Sequence, residues 1–298
     1  MKSSFMKRFS GIRRGLITMV TLTMITLTTS GLPAAAADSG DAAAAKLSGE
    51  VSTHLENAQK ILDAIVAVQG ERGMENTLQP MNELSLELSA ASSKASLMQN
   101  VHPDPDVRTA AEKASQEVSA FFTALSLNRD FFDAINALDP KKYDDLTQRL
   151  IKKNLRDFRR SGVDKDEATR NKIKKIQEEL VEIGQEYSRN IRDGQRTIYL
   201  DSVEELDGLP QDYIDAHQPN EDGKIEITTA YPDYSPIMSY AKNADVRKRL
   251  YHEFNNRAYP TNIEVFKRLL EKRYELANLL GYENWAAYVT DDKMVGNP

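Results

Sequence analysis

The chain has 298 residues and no cysteine, and 40% of its residues are hydrophobic while 28% are charged. The composition argues against an intrinsically disordered chain, and the absence of cysteine excludes a disulfide framework and a thiolate metal site. The formal net charge of −6 also argues against nucleic acid as a partner.

The first 37 residues have the pattern of a secretory signal peptide. They combine five Lys and Arg residues, an apolar stretch over 15–32 and small residues over 34–37. We predict cleavage near Ala36 or Ala37 and export to the periplasm or the outside of the cell. Ile12 stands where a twin-arginine signal usually has Ser or Thr, which favours the Sec pathway.

An uncleaved membrane anchor is the alternative interpretation of this segment. Six threonines in the apolar stretch weaken bilayer insertion, so we expect no stable membrane anchor after cleavage. Removing residues 1–37 takes away five positive charges and no negative charge, so the net charge of −6 falls to −11. An anionic membrane is therefore not an expected partner.

Helical spacing of apolar residues dominates the chain up to residue 193, after a predicted flexible leader over 38–45. Asp104-Pro105 and Asp139-Pro140 each combine an N-cap residue with a proline at the first helical position. Asp164 and Glu167 form a predicted capping box before the longest periodic segment. The predicted core positions are Leu55, Ala58, Leu62, Ile65, Leu84, Leu88, Leu97, Val118, Phe121, Phe122, Leu125, Tyr143, Leu146, Leu150, Leu155, Phe158, Ile173, Ile176, Leu180, Ile183, Tyr187 and Ile191. We predict an N-terminal helical lobe over 46–193.

The pattern changes over 194–242. Residues 197–200 and 225–229 are short β-branched runs, and Asp222-Gly223 is a turn signal before the second. These runs predict a small antiparallel β element with connecting helices. An aromatic turn over 231–236 is predicted to lead into the next helices.

The last segment, 243–298, is again helical in pattern. Helices are predicted over 237–257 and 262–280. Their predicted apolar positions are Phe266, Leu270, Leu276, Leu280 and Trp285. The predicted fold class is mainly α with a small antiparallel β element.

The residues themselves predict no active site. The four histidines, His54, His102, His217 and His252, are not within helical reach of one another, whereas zinc sites usually take two ligands one helical turn apart. His252-Glu253 begins like H-E-x-x-H, but Asn256 occupies the place of the second histidine, so we predict a solvated or capping histidine. We therefore predict that this chain contains no catalytic, cofactor-binding or metal-binding residues.

Tyr231, Tyr234 and Tyr240 form an aromatic concentration. They could line a peptide-binding channel, since tyrosine offers an apolar ring and a polar group. Packing of the sheet against the following helices is the favoured interpretation.

Several short motifs occur along the chain, and although none is decisive alone, their order and spacing together are specific. They are Asn76 to Pro80, residues 190–210 with a Leu-x-Gly-Leu-Pro ending, Gly223-Lys224 with Tyr231-Pro232, Phe254-Asn255-x-Arg257, Asn262, residues 279–282, residues 286–289 and Lys293-Met294. Over nearly the whole mature chain this series resembles the thimet oligopeptidase, oligopeptidase A and peptidyl-dipeptidase family of zinc metallopeptidases.

The resemblance implies a helical lobe of a two-lobed oligopeptidase whose deep channel admits short unstructured peptides. It also implies one zinc ion, held by two histidines of H-E-x-x-H and a later glutamate, and this chain has none of these positions. In the family, the final helices pack against later parts of the chain. We therefore expect the N-terminal portion of an exported zinc oligopeptidase, truncated within its catalytic lobe and inactive by itself. The alternative is a non-catalytic helical peptide-binding scaffold in the periplasm.

Overall fold

A computed structural model describes residues 40–298, and the predicted signal peptide lies outside these residues. Within them, eleven α-helices and one two-stranded sheet account for most of the chain. The helices are α1 (Gly40–Ala67), α2 (Gln79–Val101), α3 (Pro105–Ser126), α4 (Arg129–Asn136), α5 (Asp145–Ser161), α6 (Glu167–Asp193), α7 (Gln211–Ala216), α8 (Tyr231–Tyr240), α9 (Ala244–Asn255), α10 (Thr261–Leu280) and α11 (Trp285–Thr290). The strands are β1 (Thr197–Leu200) and β2 (Ile225–Thr228). The predicted mainly α fold with a small antiparallel sheet is confirmed.

Helix α1 begins earlier than predicted. The segment 38–45 was expected to be a flexible leader, but it is helical from Gly40 onward. Four consecutive alanines at 42–45 explain the difference, because alanine has the highest intrinsic helix propensity.

Helices α1, α2 and α3 pack against one another through small side chains. Ala91 and Ala95 of α2 and Ala111 and Ala114 of α3 are almost fully buried in one cluster. Side chains of this size let neighbouring helix axes approach closely. A second cluster, built around Phe131 and neighbouring helices, holds α1, α2, α4 and α5 together.

Four of the predicted core positions of this region are exposed instead. They are Leu97, Phe122, Leu146 and Leu150. Leu97 follows Ala91 and Ala95 closely in sequence, but the two alanines, and not Leu97, lie on the buried face of α2. Helical spacing locates a stripe, but it does not identify which edge of the stripe faces solvent.

Two predicted helix starts are displaced. Asp139 caps a 3₁₀ turn over Pro140–Lys142, and α5 begins only at Asp145 with Asp144 as its N-cap. Asp166, not Asp164, caps α6, because its Oδ1 accepts a hydrogen bond from the Thr169 backbone N–H at 2.9 Å. The start at Asp104-Pro105 is confirmed, as the Asp104 carboxylate accepts from the Asp106 backbone N–H.

The two strands pair in antiparallel register, with Ile198 opposite Ile227 and Leu200 opposite Ile225. Opposite residues share one face of a sheet, and all four side chains are buried. Helices α8 and α9 cover this face. The segment 231–236, predicted as a turn, is the first part of α8, and the predicted helix over 237–257 is interrupted before Asn243, which caps α9.

Helix α10 packs along α6. Leu276 and Leu280 are buried against Ile173 and Ile176, and Trp285 of α11 lies against the same cluster. Phe266 and Leu270 of α10 do not share this packing, since their residues are 44% and 47% exposed. The two faces of α10 therefore have different environments.

Arg160 joins α11 to the end of α5. Its Nη1 lies 2.8 Å from Asp292 Oδ1, its Nη2 donates a hydrogen bond to the Tyr288 carbonyl, and its guanidinium lies 5.2 Å from the Tyr288 ring centroid. Hydrogen bonds from Arg160 and Lys293 lower the pKa of Asp292 to about 2. This ion pair fixes the last helix of the described chain.

Residues 40–298 belong to one compact unit, and the boundaries predicted near residues 193 and 242 remain predictions. Among the helices over 40–298, none combines the length and the apolarity needed to cross a bilayer.

Candidate functional site

The histidines have separate partners. His54 Nδ1 lies 2.6 Å from Glu87 Oε2, between α1 and α2. His102 Nδ1 accepts a hydrogen bond from the Asp104 backbone N–H at 3.1 Å. In the described range 40–298, no group of three His, Asp or Glu side chains could hold a metal ion.

His252 lies on α9 with a side chain that is 74% exposed. One turn later, the Asn256 amide Nδ2 donates a hydrogen bond to the His252 carbonyl at 2.8 Å. The residue in the place of a second H-E-x-x-H histidine therefore closes the end of the helix. This placement agrees with the predicted solvated position of His252.

His217 belongs to a hydrogen-bonded network beside the sheet. Its ring stacks on Tyr213 at 4.0 Å, and its Nε2 lies 3.0 Å from Asp233 Oδ1. The other Asp233 oxygen accepts from the Thr228 backbone N–H at 2.8 Å. Burial raises the pKa of Tyr213, and the Asp233 charge raises it further. The network connects α7, β2 and α8, and we assign it a structural role.

The three predicted tyrosines have different environments. Tyr234 packs on the sheet cluster and stacks on Phe254 with ring centroids 3.7 Å apart. Tyr231 meets the edge of Phe254 at 5.6 Å but is 66% exposed, and Tyr240 is 59% exposed. The packing interpretation therefore applies best to Tyr234.

A cavity of about 350 Å³ lies where the C-terminal part of α6 meets the end of α9 and the start of α10. Tyr187, Phe254, Tyr259 and Phe266 supply aromatic walls. Arg257 is the one charged residue among the described residues that line it. A concave, mainly apolar surface with a few convergent polar groups is typical of a ligand site.

Asn262 fixes the start of α10 against α6. Its residue is 9% exposed, and its Nδ2 donates to the Tyr187 carbonyl at 3.0 Å. Its Oδ1 accepts from Asn190 Nδ2 at 2.9 Å. A buried amide must satisfy its donors and acceptor, so these bonds hold one wall of the cavity in a fixed position.

Arg257 is held by a stack. Its guanidinium carbon lies 3.7 Å from the Phe254 ring centroid, and the Tyr234 ring also stacks on Phe254, with ring centroids 3.7 Å apart. Its Nε donates to the Phe254 carbonyl at 2.9 Å. Within residues 40–298, neither terminal nitrogen of Arg257 has a hydrogen-bond or ion-pair partner, so these donors are available at the cavity.

An apolar face of α10 continues from the cavity. Ile263, Phe266, Leu270 and Tyr274 follow one another at steps of three or four residues, and each is between 44% and 59% exposed. This spacing puts them on one side of the helix. We call these four residues the exposed face of α10. Contiguous exposed apolar residues mark interaction surfaces.

Sequence reasoning did not find this cavity. Tyr187 was predicted only as a core position, and Arg257 and Asn262 were noted only as parts of family-like motifs. The available signal was an unusual Asn-rich and aromatic sequence over 254–262, between two helices.

Two family profiles match the chain in succession. The profile for the neurolysin/thimet oligopeptidase N-terminal domain matches residues 49–170. The profile for peptidase family M3 matches residues 237–298. Together they cover more than half of the chain, and the second match contains α9, α10 and α11.

Curated relatives extend this similarity. The chain is 28% identical over 267 residues to oligopeptidase A of Escherichia coli, covering 83% of this chain and 39% of that protein. It is 27% identical over 263 residues to saccharolysin of Saccharomyces cerevisiae, covering 83% and 36%. It is 26% identical over 251 residues to a thimet-like oligopeptidase of Dictyostelium discoideum, covering 81% and 37%. The chain therefore spans less than two fifths of the length of each of these relatives.

Proposed function

Because the chain belongs to peptidase family M3, together with oligopeptidase A and thimet-like oligopeptidases, we propose that it is part of an exported zinc oligopeptidase that hydrolyses peptide bonds in short peptides. The observation that carries this proposal is the succession of two matching profiles along one chain. The N-terminal domain profile comes first, and the peptidase profile begins within α8. Most residues that line the cavity belong to the region matched by the peptidase profile, which supports a peptide-binding role for the cavity.

The zinc ion of the proposed activity does not fit the described residues. The histidines have separate partners, and the second position of the H-E-x-x-H spacing is Asn256. Bound zinc would polarise the scissile carbonyl and lower the pKa of an attacking water. We propose that its ligands lie outside residues 40–298, and that the 298-residue chain hydrolyses no peptide by itself.

The exposed face of α10 supports the proposal that the zinc ligands belong to another part of the protein. Burying a large apolar side chain contributes about 1.5–3 kcal/mol, so four half-exposed ones leave much stabilisation unrealised. The relatives are more than twice as long as the matched part of this chain. We propose that a part of the protein corresponding to their remaining length covers Leu270 and Tyr274, the end of this face that does not line the cavity.

The ligand class follows from the cavity itself. Aromatic walls suit apolar side chains of a peptide, and a volume of about 350 Å³ accommodates only a few residues. Short unstructured peptides therefore fit better than a folded protein. Neither nucleic acid nor a membrane is proposed as a partner.

Peptide binding tests the proposal directly on purified residues 38–298. We expect a short apolar peptide to bind, and Phe266→Ala to weaken it, because Phe266 lines the cavity. Phe122→Ala is the matched control, since Phe122 is a helical phenylalanine with 43% exposure, against 44% for Phe266, and does not line the cavity. Equal loss in both variants, or no binding to the unmodified protein, would contradict a peptide site here.

A non-catalytic, exported peptide-binding scaffold is the second candidate. It is favoured by the fact that the cavity, its aromatic walls and its one charge all belong to this chain. Determining the coding sequence beyond Pro298 separates the two. An in-frame H-E-x-x-H supports the peptidase, whereas a stop codon directly after Pro298 supports the scaffold.

A further inference from the structure

The cavity combines apolar walls with a single positive charge whose terminal nitrogens have no partner among residues 40–298. The formal net charge of the chain is −6, so a lone unpaired cation in an apolar cavity contrasts with the protein as a whole.

Two contacts orient the guanidinium of Arg257. The guanidinium carbon lies over the Phe254 ring, 3.7 Å from its centroid, and the Nε–H donates a hydrogen bond to the Phe254 carbonyl. Stacking on an aromatic ring leaves the edge of the guanidinium free. The free edge carries the parallel N–H groups that match the two oxygens of a carboxylate.

We infer that Arg257 binds the C-terminal carboxylate of a short peptide whose last side chains lie against Tyr187, Tyr259 and Phe266. This inference rests on the proposed peptide-binding function and adds a specificity to the same cavity. A C-terminal carboxylate is the anionic group that every unmodified short peptide carries. A carboxylate at this place gains charge-assisted hydrogen bonds without first breaking an ion pair within the described residues.

The test compares peptides that differ in one group. An N-acetylated hexapeptide of Gly, Ala, Leu and Phe is prepared as the free acid and as the C-terminal amide, and both are titrated calorimetrically into residues 38–298. Charge-assisted hydrogen bonds predict that the acid binds about 10- to 100-fold more tightly than the amide. A third peptide, amidated and with one internal Asp, shows whether a side-chain carboxylate substitutes for the terminus.

Variants assign the effect to the residue. Arg257→Gln should remove the preference for the acid, and Arg257→Lys should retain only part of it, because lysine is a point charge without the parallel donors. Arg273→Gln is the matched control, since Arg273 also lies over an aromatic ring, at 5.4 Å from that of Trp285, but does not line the cavity. Circular dichroism checks the fold of each variant.

Equal affinity of the unmodified protein for acid and amide overturns the inference even if Arg257→Gln fails to fold. A preference that persists in Arg257→Gln, or equal binding of the internal-Asp amide, also overturns it. These results leave the peptide-binding proposal standing, because peptides still bind. Absence of binding by every peptide overturns both.

Discussion

The packing of α10 on α6 predicts that two leucines of one helix contribute very differently to stability. Leu276 is 3% exposed and lies in the cluster with Ile173 and Ile176, whereas Leu270 is 47% exposed and lies outside this cluster. Replacing a buried leucine with alanine costs about 2–5 kcal/mol, from lost burial and the cavity left behind. An exposed substitution usually stays within about 0.5 kcal/mol, and alanine is the better helix former.

The assay is urea unfolding of Leu276→Ala and its matched control Leu270→Ala. The single tryptophan, Trp285, lies against the same cluster and reports on it by fluorescence. With an m value of about 2 kcal/mol/M, a loss of about 3 kcal/mol lowers the urea midpoint by about 1.5 M. We expect this shift for Leu276→Ala and almost none for Leu270→Ala. Equal shifts, or a larger one for Leu270→Ala, would refute the assignment of the buried face.

Three further predictions concern other parts of the chain. The ion pair with Arg160 lowers the pKa of Asp292, so it stabilises the fold fully above the ordinary pKa of 3.8 and loses this effect as the pH falls towards about 2. Asp292→Asn should therefore flatten the acid-induced change in tryptophan fluorescence. An unchanged profile would count against the ion pair. Gly162→Ala should destabilise the fold by about 1–3 kcal/mol in urea unfolding, because φ is +96° and the new Cβ would lie 2.7 Å from a buried isoleucine methyl. The control Gly49→Ala, in open space within α1, should stabilise the fold instead. A Gly162→Ala protein as stable as the unmodified one would disprove the strain. N-terminal sequencing of the exported protein should find cleavage near Ala36 or Ala37, whereas a mature protein that begins at Met1 would contradict the signal peptide.

The sequence predicted the long helices and the sheet because their signals are local. The buried stripe of α6, with Ile173, Ile176 and Ile183, follows directly from helical spacing. The C-terminal end of α5 is also a local signal, since Gly162 adopts the left-handed conformation that glycine favours. Such features depend on residues within a few turns of one another.

The cavity could not be predicted in the same way. It requires Asn262 to meet Tyr187 and Asn190 from α6, more than seventy residues earlier in the chain. Exact helix starts were also uncertain where several acidic residues compete, as Asp164 and Asp166 do before α6. In that case the carboxylate that reaches a free backbone N–H determines the start.

Zinc content and peptide hydrolysis of purified residues 38–298 test the central claim most directly. The claim is that this part of the protein binds short peptides, while the zinc ligands lie elsewhere. We predict peptide binding, no chelator-sensitive hydrolysis and no stoichiometric zinc, because no set of described side chains converges on a metal ion. One tightly held zinc per chain, together with hydrolysis that a chelator abolishes, would contradict the claim.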